Sequence, residues 1–422
     1  MTKLIIEPSM HLTGEINISG AKNATLPIIC AGILTSDTIH LSNIPNLRDI
    51  DTLLQILSSL GIDINYQPSI HTLDISTNCL TNITAHYDLV KQMRASILVL
   101  GPMLARFKEA IVSLPGGCAI GSRPVDIHLK GLEQMGANIN IQNGYIHATA
   151  VNGLHGAIIA MNMVTVTGTE NLLMAASLAN GVTVLKNCAI EPEVTDLANC
   201  LVKMGANIIG IGTNELIITG VTKLHGASHA IISDRIEAGT YAVASAITMG
   251  DITLNAVNID IMQATIMCLK QCGAVIKEYD AAKQIRIIMQ KKPIGINIET
   301  AVYPGFATDM QAQFMALNSI ATGQSHIKET IFENRFMHVA ELCRMGANIT
   351  INDNDAIING VSDLHGANVM ATDLRASASL VLAGLVATGN TTLERVYHLD
   401  RGYETMEIKL NQVGANIKRI KT

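Results

Sequence analysis

Tryptophan is absent and phenylalanine occurs only five times in 422 residues. The core must therefore be built from Ile, Leu, Val, Ala and Met, and aromatic platforms for stacking single-stranded nucleic acid are excluded. Blocks of like charge are also missing. Twenty-nine Lys and Arg are set against 35 Asp and Glu, for a formal net charge of −6, so neither a basic arm for nucleic acid nor a charged membrane-surface helix is expected. The eight cysteines, at 30, 79, 118, 188, 200, 268, 272 and 343, contain no CxxC pair. That spacing excludes a zinc cluster and a disulfide-stapled domain and implies a reducing compartment. No apolar run reaches membrane-spanning length, because the segment Ala95 to Ala105 is short and carries Gly101 and Pro102. Met1 to Gly20 lacks the cationic start and apolar block of an export signal, so the expected location is cytoplasmic.

What is present is a repeat. A short signature, Leu or Met followed by Gly-Ala-Asn-Ile or a close variant, is centred on Gly61, Gly136, Gly205, Gly273, Gly346 and Gly414, at intervals of 75, 69, 68, 73 and 68 residues. Each copy follows an amphipathic stretch such as Val125 to Met135 or Val194 to Met204. The glycine thus reads as a helix C-terminal cap and the following alternation as a strand. Each unit also holds a second helix of small and aliphatic residues: Ala24 to Leu34, Ala95 to Ala105, Leu172 to Ala179, Ala238 to Met249, Gln311 to Thr322 and Ala376 to Thr388. Being apolar nearly all round, these helices must be buried. The expected unit is β-α-β-α-β-β, and three units closing around their buried helices would make one domain. The chain then divides into 21–232 and a second domain of 1–20 with 233–422.

Polar residues gather at the starts of the buried helices, where packing has no use for them: Lys22 and Asn23, Arg94, Thr165 to Asn171, Asp234 and Arg235, Thr308 and Asp309, and Asp373 to Arg375. Helix N-termini favour anions through their unpaired N–H groups and dipole. Asp234 and Asp373 read equally well as simple N-caps. The arginines are harder to explain that way, since Arg-Ala-Ser recurs at Arg94 and Arg375 and the guanidinium fork suits carboxylate and phosphate. The segment Ser113 to Pro124 breaks the repeat with a glycine-rich stretch holding Cys118 and Arg123, which reads as a lid. It is no P-loop, and Gly210-Ile211-Gly212 lacks the rest of a dinucleotide fingerprint. Cys30, Cys188, Cys200, Cys268, Cys272 and Cys343 read as small core hydrophobes. The three histidines of the repeated LHGA turn, His155, His225 and His365, read as structural, and no metal is expected.

GAKNATLP at 20–27, LPGGCAIGSRPVDIH at 114–128 and TDMQAQF at 308–314 continue with IFENRFMHV at 331–339, ATDLRASASLVLAG at 371–384 and DRGYE at 400–404. This collinear series resembles the UDP-N-acetylglucosamine 1-carboxyvinyltransferases, a family of enolpyruvyl transferases, from end to end. The resemblance implies a two-domain inside-out α/β barrel of six βαβαββ-type repeats, three per domain. It implies a monomeric enzyme that needs no cofactor and takes phosphoenolpyruvate and UDP-N-acetylglucosamine as substrates in the committed step of peptidoglycan synthesis. Lys22 and Asn23 would meet phosphoenolpyruvate, and Arg123, Arg375 and Arg401 would hold its phosphate and carboxylate. Arg94 and the segment Arg123, Pro124, Val125, Asp126 and Ile127 would serve the sugar nucleotide, as would Met163, Val164, Thr165 and Val166. Met163 stands where the family commonly has Lys. Asp309 would be the base at the sugar 3-hydroxyl, Ile331 would add a backbone contact, and Arg335, Asp373 and Glu191 would line the site. Cys118 would protonate C3 of the enolpyruvyl group, and its thiol would be the target of fosfomycin.

Three other readings compete. The sister transferases acting on shikimate 3-phosphate typically carry a Gly-Ser-Lys-Ser motif in place of Gly-Ala-Lys-Asn. A DNA sliding clamp could be built of repeated α/β units but would need a basic inner surface. A non-enzymatic repeat scaffold leaves the Lys and Arg series unexplained.

Overall fold

The computed structural model describes residues 2–78, 80–91, 93–114 and 125–421. Cys118, Arg123 and Pro124 lie outside the described residues. The chain forms two compact units: most of 20–232 makes one, and 2–19 with 233–421 the other. Each has its own apolar core, the first drawn from Ala21 to Ile231 and the second from Leu4 to Ile18 and Ile236 to Ile417. The architecture is mixed α/β, with helices enclosed by small sheets.

The β-α-β-α-β-β order is visible in an uninterrupted copy. Ile158–Ala160 leads to the helix Val166–Ala176, strand Val182–Lys186, helix Pro192–Lys203, and the strands Asn207–Ile209 and Glu215–Thr219. Its sheet has one parallel pair and two antiparallel pairs. Among the described residues, six four-stranded sheets follow this plan. Two copies are completed from a distance: Ser228–Ala230 pairs with Ile39–Ser42, and Thr13–Asn17 pairs with Asp251–Asn255. In a third, the N-terminal strand Thr2–Glu7 lies between Thr391–Glu394 and Asn416–Lys421, filling the place that a hairpin strand holds elsewhere. Along most central strands the buried residues alternate with exposed or half-exposed ones, as in Val182–Lys186, so one face of the sheet covers the helices.

The signature glycines do what the spacing predicts. Gly61, Gly136, Gly205, Gly273, Gly346 and Gly414 all have φ between +91° and +104°. After each, the chain closes a Schellman motif: Gly205 N–H reaches Val202 O and Ala206 N–H reaches Leu201 O, both at 2.9 Å. The buried helices run Lys22–Ala31, Leu100–Phe107, Val166–Ala176, Arg235–Ile247, Gln311–Ile320 and Leu374–Val386. Two expectations need adjusting. Arg94–Val99 is a 3₁₀ turn ahead of the α-helix, and the third helix starts at Val166 rather than Leu172, because Thr165 caps it by accepting the Gly168 N–H. Cys343 is exposed and Cys268 only half-buried, whereas Cys30, Cys188, Cys200 and Cys272 are core. The last helix turn before Gly346 simply presents Cys343 outward. Among the described residues no helix is long and apolar enough to cross a membrane.

Two glycines separate backbone strain from steric need. At Gly273, φ is +102° and an added Cβ would meet nothing within 4 Å, so Gly273→Ala should cost about 1–2 kcal/mol through backbone strain. Gly101 is helical, but a Cβ there would lie 2.3 Å from Asn171 Oδ1 and 2.5 Å from Asn171 O. Gly101→Ala should therefore destabilise by about 1–3 kcal/mol despite its better helix propensity. Urea unfolding checks both, and a Gly101→Ala protein more stable than the native one would show that Asn171 can move aside.

Candidate active site

In the unit formed by 2–19 and 233–421, the starts of the three buried helices meet in one polar knot. Asp309, in the 3₁₀ turn Thr308–Met310 ahead of Gln311–Ile320, is held by two arginines. Arg335 Nη2 donates to its Oδ1 at 2.8 Å. Arg375 donates to Oδ2 through Nε at 3.2 Å and Nη2 at 3.1 Å. Arg375 is 1% exposed and Arg335 5%, so both guanidinium groups depend on this carboxylate for their charge balance. Asp373 caps the helix that carries Arg375, accepting the N–H groups of Arg375 and Ala376 at 2.8 and 3.0 Å. Asp234 caps Arg235–Ile247 in the same way. Both aspartates thus fill the capping role that their positions allow.

Around this knot lies a second layer. The Arg375 guanidinium sits 5.3 Å from the Tyr403 ring. Tyr403 Oη and Thr240 Oγ1 share a hydrogen bond at 2.8 Å. Gln313 Nε2 lies 3.0, 3.2 and 3.0 Å from Thr240 Oγ1, Tyr403 Oη and Asp309 O, which share its two protons. One residue from each of the three helices and the Arg401-Gly402-Tyr403 segment are thereby tied together. Arg401 is half-buried at the end of the 3₁₀ turn Val396–Arg401. Gly402 stands beside Arg375, since a Cβ there would lie 3.6 Å from Nη1.

In the unit built mainly from 20–232, Lys22 opens the first buried helix and is only 8% exposed. A lysine at a helix N-terminus opposes the dipole. Its Nζ lies 3.4 Å from Asp49 Oδ2, on the buried side of the helix Arg48–Ser59. Asn23 is half-buried beside it, and Arg94 is half-buried at the start of Arg94–Val99. Val125 and Asp126 are half-buried and Ile127 is buried at the start of Asp126–Gln134. Val164, Thr165 and Val166 are half-buried at the start of the third helix. Met163 is exposed.

His128 joins these helix starts. Its Nδ1 is 3.0 Å from Asn171 Nδ2 and its Nε2 is 3.5 Å from Thr167 Oγ1. Asn171 also donates to Ile97 O at 3.0 Å and accepts the Gly101 N–H at 2.7 Å. Burial, then the nearby Arg94 charge, lowers the His128 pKa to about 4, against a smaller opposing effect of Asp126. Glu170, on the third helix, is fully buried, and burial followed by the Glu193 and Glu191 charges raises its pKa well above the usual carboxylate range. Glu191 itself precedes Pro192–Lys203 as its N-cap residue. Among the described residues no group of three or more His, Cys, Asp or Glu is arranged to hold a metal.

The family model for EPSP synthase (3-phosphoshikimate 1-carboxyvinyltransferase) matches residues 6–410. The chain belongs to this family of enolpyruvyl transferases. Two solved structures show the same fold. The enolpyruvyl transferase NikO from Streptomyces tendae is 24% identical over 99% of this chain and 98% of its own, with a TM-score of 0.89. EPSP synthase from Acinetobacter baumannii is 20% identical over 100% of both chains, with a TM-score of 0.76. The polar knot and the buried lysine are therefore features of an enolpyruvyl transferase.

In this enolpyruvyl transferase, sequence reading missed Asp49, Gln313, Tyr403 and Glu329, and took Asn171 only as the end of the polar run Thr165 to Asn171. Periodicity held a clue to two of them. Asp49 shares the inward face of its helix with Leu53 and Ile56, and Glu329 falls in the inward register of Ser325 and Ile327. A charge on an apolar face signals a buried partner.

The depressed His128 pKa has a pH consequence. Because the folded-state value of about 4 lies below the ordinary value of 6.5, acidification protonates the unfolded chain first. Stability is fully present above pH 6.5 and falls between there and pH 4, by at most about 1.4 kcal/mol per pH unit for this histidine. Urea unfolding at pH 7.5 and 5 should show the loss, and His128→Gln should lessen the slope. Equal slopes would remove His128 from the acid response.

Proposed function

We propose that this enolpyruvyl transferase moves the 1-carboxyvinyl group of phosphoenolpyruvate to the 3-hydroxyl of UDP-N-acetylglucosamine with release of phosphate. The observation that carries the choice of acceptor is the pairing of Gly-Ala-Lys-Asn at 20–23 with a cysteine-bearing, glycine-rich segment at 114–124. Addition forms the bond from the sugar O3 to C2 while C3 gains a proton. Elimination breaks the bond from C2 to the phosphate oxygen, a C3 proton leaves, and the double bond re-forms.

Asp309 is the group that takes the hydroxyl proton. Arg335 and Arg375 hold its carboxylate charged and fix its plane, and both ion pairs weaken once it is protonated, which favours prompt return of that proton. Cys118 supplies the C3 proton, since a thiol with a reference pKa of about 8.5 is largely protonated at neutral pH. Lys22, buried and directed to Asp49, and the half-buried Arg401 bind the anionic co-substrate, with Asn23 and Arg123 beside them in role. Fixed charges that meet developing charge usually contribute most to such catalysis. Arg94, Val125 to Ile127, Val164 to Val166, Ile331 and Asp373 serve the sugar nucleotide.

A second reading is the shikimate 3-phosphate transferase, favoured by the description of the matching family model. Phosphate release with phosphoenolpyruvate and each acceptor separates the two, and a preference for UDP-N-acetylglucosamine of at least about 100-fold in kcat/KM is expected. Turnover only with shikimate 3-phosphate would overturn the assignment.

Arg401 is a cleaner probe of co-substrate binding than Arg375, whose removal would strand Asp309 and cost about 3–5 kcal/mol of stability. Arg401→Ala should raise the KM for phosphoenolpyruvate at least about tenfold, with Lys rescuing only in part because it lacks the planar fork. Unchanged kinetics would take Arg401 out of the site. Substitutions at Cys118 test the proton donor: Asp should keep measurable turnover and escape fosfomycin, whereas Ser should lose about 100-fold or more. Equal loss in Cys118→Asp and Cys118→Ser, with folding intact, would favour an essential nucleophilic thiol.

A further inference from the structure

Glu329 is 2% exposed and forms no ion pair among the described residues. Its carboxylate is satisfied by neutral donors alone. Oε1 accepts the Thr300 hydroxyl at 2.9 Å and the consecutive N–H groups of Ile331 and Phe332 at 2.8 and 3.2 Å. Oε2 accepts the Thr308 hydroxyl at 2.8 Å. The Thr330 N–H closes the cluster by donating to Thr300 Oγ1 at 2.8 Å. One side chain thus bridges the residue just before Asp309 and the turn that carries Ile331 and leads to Arg335.

Burying an ionisable carboxyl without a cation is costly unless every lone pair is used. If Glu329 served packing alone, an apolar residue would continue the inward row of Ser325 and Ile327 at no such cost. What the carboxylate adds is a fixed distance between two segments that the helices do not connect directly. Thr308 begins the turn holding Asp309, and the N–H groups at 331 and 332 orient the peptide planes of the facing segment. We propose that Glu329 is a positioning residue that sets Asp309 and the Ile331 backbone in register for the acceptor. The assignment of their partner as a sugar nucleotide rests on the function proposed above.

The two carboxylate oxygens have separable tasks. The Oε2 bond to Thr308 governs the placement of the proton acceptor and hence kcat, and the Oε1 bonds to the 331–332 turn govern acceptor binding. Three variants separate these from loss of fold. Glu329→Gln retains a carbonyl at Oε1 and an amide that the Thr308 hydroxyl can accept from, so both parameters should stay within about threefold of native. Thr308→Val should lower kcat about tenfold with little change in acceptor KM, and Glu329→Leu should lower kcat and raise acceptor KM by about tenfold each, leaving the KM for phosphoenolpyruvate nearly unchanged.

The kinetics are run with whichever of UDP-N-acetylglucosamine and shikimate 3-phosphate the native enzyme turns over. A failure of the acceptor assignment is therefore visible in the native protein, before any variant is read. Amide hydrogen exchange on the substrate-free protein provides the independent arm: Glu329→Leu should speed exchange at Ile331 and Phe332 at least about tenfold, with the helix Leu374–Val386 unaffected. Unchanged exchange at 331–332 overturns the clamp. Faster exchange with native kinetics, or an equal loss in all three kinetic parameters, overturns the positioning role.

Discussion

A helix that is apolar around its whole circumference can be polar only at its ends. Each unit surrounds three such helices with small sheets, so neither their flanks nor the inner sheet faces can carry charge without a buried partner. Charged groups therefore gather at the helix starts, where free N–H groups and aligned dipoles already favour anions. Asp373, Asp234 and Thr165 meet that local demand as caps. Lys22, Arg375 and Arg335 do not, and each is held instead by a specific carboxylate, Asp49 for the first and Asp309 for the other two.

Confinement also explains why the polar groups form connected networks. Gln313, Thr240 and Tyr403 share hydrogen bonds that join two helices and the segment after Arg401 in one unit, and Asn171 links the helices of His128 and Gly101 in the other. In a low-dielectric interior a half-satisfied polar group is worse than an apolar one, so such networks fix one arrangement of the helices. The same networks place Asp309, Arg375 and the Arg401 segment, so rigidity of the core and precision of the candidate site have a common origin.

Much of the fold was legible because it repeats. Six glycines at a spacing of about 70 residues each require a left-handed backbone, and helices bare of charge announce their own burial. Boundaries were read less well where capping decided them, as at Thr165, and Cys343 was misplaced because a single cysteine carries no directional signal. Of the site, the arginines and Asp309 stood out as polar residues in apolar company. Asp49, Tyr403 and Glu329 did not, since each is an ordinary residue until its partner is known.

The sequence by itself determined the repeat, its helix stops, the two kinds of helix and membership of the enolpyruvyl transferases, because all of these rest on periodicity, local backbone preference and collinear motifs. Only the tertiary structure decided that Arg335 and Arg375 share one carboxylate, that Lys22 faces Asp49, and that Glu329 joins the segments of Thr308 and Ile331. These pairs lie 26, 66, 27, 21 and 2 residues apart along the chain. The first four are contacts between segments brought together only by burial of the helices, and no local pattern can encode which charges that burial will make neighbours.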